Sequence, residues 1–413
     1  MFQLIKFEVF KIVKRKSNLI AIVASLLVTL ALSMMTVFTF GDFDFANRDF
    51  QQGTAAIAKV RKREGVEPKV LSDAFITESI KAYQEVYSKP ENVEIDKYGN
   101  QNLVKELAIK IEYPKIALYG LIVGGYEELG ENPIYRQVLD LDMSQGANFY
   151  PAIKKKENRE LVEFYNDHLS SKEKTFWQNK SKQVKTPYTY GYYAGWSEWL
   201  RNFYFFVLVI LVVCIIIAPV FAGEYQSGAD AIILSAKYGK TKNVTAKILA
   251  SNLVAFVVFT LNLVLGFTFV FSFFGTAGWD LPVQVLDVTV PFAMNLLQLV
   301  LLNIGIAYLV MFAFVAFTLF LSSKLKTPFL ALIVVLPLIF IPLFISITET
   351  NYLFDAIINI LPAPSLTIDL GYFDYQFGPA ILDLFSTRAL LYFLLIPLFT
   401  FFAKKGFVKH EVG

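Results

Sequence analysis

The sequence predicts a mainly α-helical, polytopic membrane protein with six transmembrane helices and a helix-rich domain outside the membrane. Three observations carry that expectation. The chain of 413 residues is 55% hydrophobic but only 18% charged, whereas a soluble protein of this size carries nearer a quarter. The apolar residues are gathered into long runs. Between the first two runs lies a stretch of ordinary soluble composition.

A helix rises about 1.5 Å per residue, so about 20 apolar residues cross the roughly 30 Å hydrocarbon core. Six segments meet that length or approach it: 18–40, 202–221, 248–274, 296–321, 328–347 and 389–403. The fifth carries Pro337 and Pro342, which kink a helix but are tolerated within a bundle. The sixth is short, carries Pro397, and has room to start before Arg388. Pro219 marks a break near the end of the second span. Asn262 and Asn303 lie inside spans. Hydrogen bonding between helices explains them more simply than a polar lining for a substrate path.

Orientation follows from Lys and Arg, which concentrate on the cytoplasmic side. Lys6, Lys11, Lys14, Arg15 and Lys16 precede the first span. Lys237, Lys240, Lys242 and Lys247 follow the second, Lys324 and Lys326 the fourth, and Lys404, Lys405 and Lys409 the sixth. The opposite loops carry Asp280, Asp287, Glu349, Asp355, Asp369, Asp374 and Asp383, with Arg388 their one base. Both termini are therefore expected in the cytoplasm, as an even number of spans requires. The first apolar run exceeds a signal-peptide core of roughly 7–15 residues and reads as an uncleaved anchor.

The expected organisation is a basic amphipathic helix over 1–17, a first span over 18–40, an extracellular domain over 41–200, the remaining spans over 201–403 with a cytoplasmic loop at 223–247, and a tail over 404–413. Within the outer domain, Ser72 or Asp73 caps a helix that Lys89-Pro90 ends. Further helices are expected from Leu103 towards Lys110 and from about Lys154 to His168. Ser170 and Glu173 form a capping box for another. Just before the second span stand Tyr188, Tyr190, Tyr192, Tyr193, Trp196 and Trp199. An interfacial aromatic belt is the simpler reading; the sharper one is an entrance for an amphipathic substrate.

Several chemistries find no support. The single Cys214 allows no intrachain disulfide, and His168 and His410 with no metal-spaced partners make a dedicated zinc site a poor fit. Gly239-Lys240-Thr241 imitates the end of a phosphate-binding loop, but Leu234 stands where that motif needs glycine. No nucleophile–base set stands out, and a net charge of +3 argues for no nucleic-acid partner. No ionisable chain at mid-membrane depth suggests ion coupling. A transporter built this way needs an external motor.

The loop after the second span supplies a hint of one. Glu224 sits at the inner mouth of a span, where a lone carboxylate needs a reason: pairing with Lys240 or Lys247, or capping a helix N-terminus. Gly228 permits a sharp turn. A short amphipathic helix over 229–237 puts Ile232, Ile233 and Ala236 on one face, ahead of Lys237 and Lys240. The order Glu224, Tyr225, Gly228, a short apolar stretch, basic residues, then Lys247-Ile248-Leu249 resembles the permeases of the type 2 ATP-binding-cassette (ABC) exporter family. It resembles most those of Gram-positive bacteria with a large helical domain between spans one and two. In place of the family's frequent Pro-Arg, this chain has Tyr238-Gly239-Lys240.

The resemblance implies that Glu224, Tyr225, Gly228, Ile232, Ile233, Lys237 and Lys240 form the region that docks on an ATPase. It also implies cytoplasmic ABC ATPase partners that hold the ATP and Mg, no cofactor on this chain, a second permease subunit, contact with membrane lipids, and a bacterial plasma membrane. The rival expectations are a membrane sensor with an outer ligand-binding domain and, less favoured, a membrane enzyme.

Overall fold

The structure is a computed structural model that describes residues 1–44, 49–65, 67–97, 99–126, 128, 134–165, 167–348 and 350–410. Glu349, counted above among the acidic loop residues, lies outside the described residues. Helix α1 (Phe2–Val13) leads into α2 (Lys16–Phe38). A head follows: hairpin β1 (Gly41–Asp44) and β2 (Asp49–Gln52), α3 (Thr54–Glu64), β3 (Lys69–Val70), α4 (Asp73–Tyr87), hairpin β4 (Val93–Ile95) and β5 (Gln101–Leu103), one turn α5 (Lys105–Leu107), α6 (Ile116–Val123), α7 (Phe149–Glu163), α8 (Ser171–Ser181) and β6 (Thr189–Tyr190), which pairs antiparallel with β3. Then come α9 (Ala194–Asn202), α10 (Phe206–Ile217), α11 (Pro219–Ser227), α12 (Ala229–Ser235), α13 (Val244–Phe274), α14 (Leu296–Lys324), α15 (Pro328–Phe340), α16 (Tyr352–Asn359), hairpin β7 (Asp374–Phe377) and β8 (Ala380–Asp383), and α17 (Leu384–Val408).

Among the described residues, five helical stretches are long and apolar enough to cross a membrane: Lys16–Phe38, Ala194–Ser227, Gly239–Phe274, Leu296–Lys324 and Leu384–Val408. The expected fifth span is shorter. It is the apolar stretch Pro328–Phe344, in which α15 carries Pro337 internally and gives way to a 3₁₀ turn holding Pro342. Each proline removes a backbone donor, which is why the regular helix stops short of Ile347. The last span does begin before Arg388, at Leu384, because Asp383 caps it by accepting from the Ser386 amide at 2.8 Å.

The first span turns its polar side inward, against spans whose buried residues are mainly apolar. On α2 the buried residues are mostly polar (Asn18, Ser25, Thr29, Ser33 and Thr36), whereas Leu19, Ile20, Val23 and Leu27 face outward. Hydrocarbon offers polar groups no partner, so they must find one within the protein. Asn262 of α13 provides it: Thr29 Oγ1 donates to Asn262 Oδ1 at 2.8 Å, and Asn262 Nδ2 donates to Ser25 Oγ at 3.1 Å. Asn303 Nδ2 likewise donates to the Leu366 carbonyl at 3.3 Å. At the Pro219 break, Ser322 Oγ of α14 accepts from the amides of Phe221 (3.1 Å) and Ala222 (2.9 Å) and donates to the Ala218 carbonyl at 2.6 Å.

The head packs its own core around Leu71, Ile76, Tyr83, Tyr119, Phe149 and Trp177, all buried. The helix caps lie where the sequence puts them. Ser72 accepts from the Phe75 amide at 3.2 Å, and Ser170 with Glu173 closes a capping box. The stretch from Leu103 is less regular than expected, with α5 running into a wide turn over Ala108–Glu112, and α7 starts and stops earlier than the expected helix.

Nor does the head stand on 41–200 alone. Trp177 Nε1 donates to Asp374 Oδ2 at 2.7 Å, Tyr165 Oη to Asp355 Oδ2 at 2.8 Å, and Tyr372 Oη to the Thr289 carbonyl at 3.1 Å. The connections between α13 and α14 and between α15 and α17 are therefore parts of it, and α9 already continues into the second span from Ala194.

Two carboxyls in the head are held above their usual range. Burial pushes Glu64 up to about 7, against the pull of the neighbouring Arg63 guanidinium. Burial also raises Asp374, opposed by the Trp177 N–H and reinforced by the carboxylates of Glu173 and Asp383. A raised carboxyl binds its proton more tightly in the folded chain, so stability falls as pH climbs from the unfolded value, about 4, through about 7. The purified protein should therefore melt at a higher temperature at about pH 5 than at about pH 8. Glu64→Gln and Asp374→Asn should each narrow that gap by stabilising the protein at the higher pH. A gap unchanged in both variants would refute this account.

Candidate functional site

The loop between the second and third spans is built around two glycines. Gly228 ends α11 with φ 69°, the left-handed region that a Cβ strains, and there the chain turns into α12. At Gly239 a Cβ would lie 1.7 Å from the Ile233 carbonyl oxygen, so the return from α12 is closed to any larger residue. Between them α12 spans Ala229–Ser235, close to the expected amphipathic helix.

Ile232 projects outward at 76% exposure, while Ile233 is half-buried. Lys237 and Lys240 are exposed. Lys237 and Lys242 lie over the Tyr238 ring at 5.4 and 4.5 Å. The loop thus presents an apolar side chain in a basic surround.

Behind this surface lies a buried ionic junction. Glu224, 3% exposed, stands at the last turns of α11. Its Oε1 accepts from Lys247 Nζ at 2.5 Å and from Lys11 Nζ at 2.6 Å. Lys247, fully buried near the start of α13, also donates to Glu8 Oε2 of α1 at 3.1 Å. Asn18 Nδ2 donates to the Ile12 carbonyl at 2.8 Å and to the Ile216 carbonyl at 3.4 Å, fixing the α1–α2 corner against α10. Burial works against the charge on Lys11, but its bond to Glu224 and the nearby Glu8 outweigh that and raise its pKa. Tyr225 Oη donates to the Ser323 carbonyl at 3.1 Å, and its ring stacks on His410, whose Nε2 lies 3.1 Å from Asp230 Oδ2 of α12. The tail is thereby fastened to the same loop.

Of the two bases weighed for Glu224, the structure brings in Lys247 and leaves Lys240 on the surface. It adds Glu8, Lys11, Asp230 and His410, none of which sequence reasoning singled out. A signal existed for two of them: Glu8 and Lys11 are three residues apart on α1, hence on one helical face, and Glu8 is the lone acid among its bases. α1 buries Glu8 and Ile12 and exposes Phe2, Phe7 and Phe10.

The aromatic block at the other end of the bundle lies inward. Tyr188, Tyr190, Tyr192, Trp196 and Trp199 are at most 6% exposed, and Tyr193 is half-buried. Trp196 Nε1 donates to the carbonyls of Thr276 and Ala277, each at 3.1 Å, and its ring packs on Phe271. Trp199 packs against Phe206 and Phe267. These side chains seal the joint between head and bundle.

A profile of ABC-2 family transporter proteins matches residues 72–376, from the head through the outer part of the last loop, and so includes Glu224, α12 and Lys247. The chain belongs to the ABC-2 transporter family. No curated protein and no solved structure matches it. As an ABC-2 transporter it is a transmembrane component of a transport system, and membership implies association with ABC ATPase subunits. The match leaves out α1 and α2, so Glu8 and Lys11 join this transporter's junction from outside the matched region. Among the described residues no group of three or more His, Cys, Asp and Glu could hold a metal ion.

Removing one partner from a buried ion pair leaves an uncompensated charge, which costs about 3–5 kcal/mol. Lys247→Met should therefore cost about 3 kcal/mol of stability, since Glu8 and Glu224 are then left buried with only the half-exposed Lys11 nearby. Adding Glu224→Gln should recover part of that loss. Thermal unfolding of the single and double variants in detergent tests this; strictly additive losses would show that the residues do not act as a unit.

Proposed function

We propose that this ABC-2 transporter is the permease subunit of a bacterial exporter that moves amphipathic peptides, antibiotics or lipids with ATP hydrolysed on a separate subunit. The observation that carries the reading is the junction of Glu224 with Lys247, Glu8 and Lys11. It ties the end of the second span, which passes through Gly228 into the short helix α12, to the start of the third span and to the N-terminal helix. A pull on α12 is then delivered to all three together.

In this reading the Lys-rich end lies in the cytoplasm with both termini, the head is extracellular, and Pro328–Phe344 completes six spans. The distribution of Lys and Arg supports that orientation. Glu224, Tyr225 and Gly228 hold α12 in place, while Ile232, Ile233, Lys237 and Lys240 face an ATPase that carries the ATP and Mg. A second permease subunit, the same chain or a related one, completes the path. The ATPase pair drives the cycle by binding one conformation of the permease more tightly than the other. This chain does no covalent chemistry.

No observation favours the sensor reading. Mild-detergent purification from native membranes, with identification of what co-purifies, decides the matter. A cytoplasmic ABC ATPase should be recovered with the wild-type protein. Ile232→Glu should lower that recovery about tenfold, because a buried apolar contact would then hold a charge, while leaving the melting temperature unchanged. Wild-type protein that recovers no ATPase, even after cross-linking, would sink the permease reading.

A further inference from the structure

A large cavity lies at the head end of the bundle, between α7, the α13–α14 connection and the stretch that joins α15 to β7. It has a volume of about 1080 Å³ and runs into a neighbouring cleft of about 640 Å³ through shared walls at Glu163, Phe164, Asp287, Leu370, Gly371 and Tyr372. Its floor is apolar, formed by Leu343, Ile345, Ile358, Ala363 and Ile368, and Tyr204 closes it towards the second span. Its own charged lining side chains are Glu163, Asp287 and Asp369, with no Lys, Arg or His among the described residues, whereas the neighbouring cleft adds Lys156 and Arg159 beside Glu160.

Two further observations point to a ligand. Asn359 lines the cavity at 4% exposure, and its Nδ2 has no hydrogen-bond partner. Behind the same wall, the fully buried Arg388 donates to the Asn359 and Thr367 carbonyls, each at 2.9 Å, while its Nη2 is also unpartnered. Unsatisfied buried donors are uncommon and costly, and of the two only the Asn359 amide lies in the cavity lining, where it asks for a carbonyl oxygen. Beside the cavity, α16 turns Leu353, Phe354 and Ile357 outward and buries Asp355 and Asn359. Its exposed face is therefore suited to lipid rather than water.

We propose that this cavity binds a cationic amphipathic peptide presented along the membrane surface. Its apolar side chains rest on the Leu343–Ile368 floor, its amines meet Asp287 and Asp369, and a backbone carbonyl reaches Asn359. Glu163 contributes less, since it lies 3.7 Å from Arg159. Arg388 behind the wall and Lys156 and Arg159 in the neighbouring cleft are positive, so the attraction for an amine is concentrated at Asp287 and Asp369. That the peptide is cargo rests on the permease reading; that it binds does not.

The test uses the full chain in phosphatidylcholine nanodiscs and a fluorescent helical peptide of lysine and leucine, read by anisotropy. The lysine peptide should bind, and the same peptide with glutamate for lysine should not. Asp287→Asn with Asp369→Asn should weaken binding about fivefold. Both asparagines keep the Oδ1 that accepts from the Thr289 and Gly371 amides at 2.9 Å, so the loops should fold as before, which an unchanged melting temperature verifies.

Equal binding of both peptides, no binding of the lysine peptide, or indifference to the double variant would overturn the proposal. Displacement of the peptide by an equal concentration of a cationic diacyl lipid would reassign the site to lipid and overturn it too. Recovery of an ATPase is scored on the same protein. Peptide binding without an ATPase sinks the permease reading alone, and an ATPase without peptide binding sinks the cavity proposal alone.

Discussion

Everything in this bundle follows from the requirement that a polar group surrounded by hydrocarbon be satisfied by the protein itself. The requirement sorts α2 into an outward apolar face and an inward row of Ser and Thr. It brings Asn262 to that row, so that the first and third spans are held by hydrogen bonds that lipid cannot replace. It also explains how a proline survives in the second span, where Ser322 serves the backbone groups beside the break. The ionic junction extends the same rule to charge. Lys247 is buried because two carboxylates meet it, and those carboxylates draw in the N-terminal helix.

The spans were the most legible part of the sequence, because their signal is local: an uninterrupted apolar run means the same thing wherever the chain goes afterwards. The caps at Ser72, Ser170 and the turn at Gly228 were legible for the same reason, each depending on residues within a few positions. The last turns of spans were not. The apolar run to Ile347 overstated the fifth helix because Pro337 and Pro342 act on the backbone without lowering the hydropathy. The start at Leu384 depended on a single cap.

Partnerships across the chain left no trace in spacing. Glu8 and Lys247 are 239 residues apart, and Trp177 and Asp374 are 197 apart. Neither pair could be matched by pattern, although Glu224 announced itself as a charge in an apolar neighbourhood. The aromatic block from Tyr188 to Trp199 was ambiguous for another reason. Large amphipathic rings suit a headgroup layer and a packed joint equally well, and composition does not say which. Their burial depends on Phe206, Phe267, Phe271 and the Thr276–Ala277 carbonyls, all contributed by later spans. The head had the same limit, since two later connections complete it.

Pro219 separates an outer and an inner rod within one helical stretch, since Ala218 keeps helical angles and its amide still bonds the Cys214 carbonyl at 2.8 Å. The outer rod, α9 with α10, is packed on α13 through Trp199 and Trp196, and Trp196 Nε1 fastens it to the Thr276 and Ala277 carbonyls. The inner rod, α11, is clamped to α1 and α13 by Glu224 and to the end of α14 by Tyr225. Where the proline withholds a backbone donor, one serine hydroxyl of α14 serves the Ala218 carbonyl and the Phe221 and Ala222 amides instead. The second span thereby runs from the seam beneath the head to the ionic junction as one mechanical element, so what holds one of its ends is felt at the other.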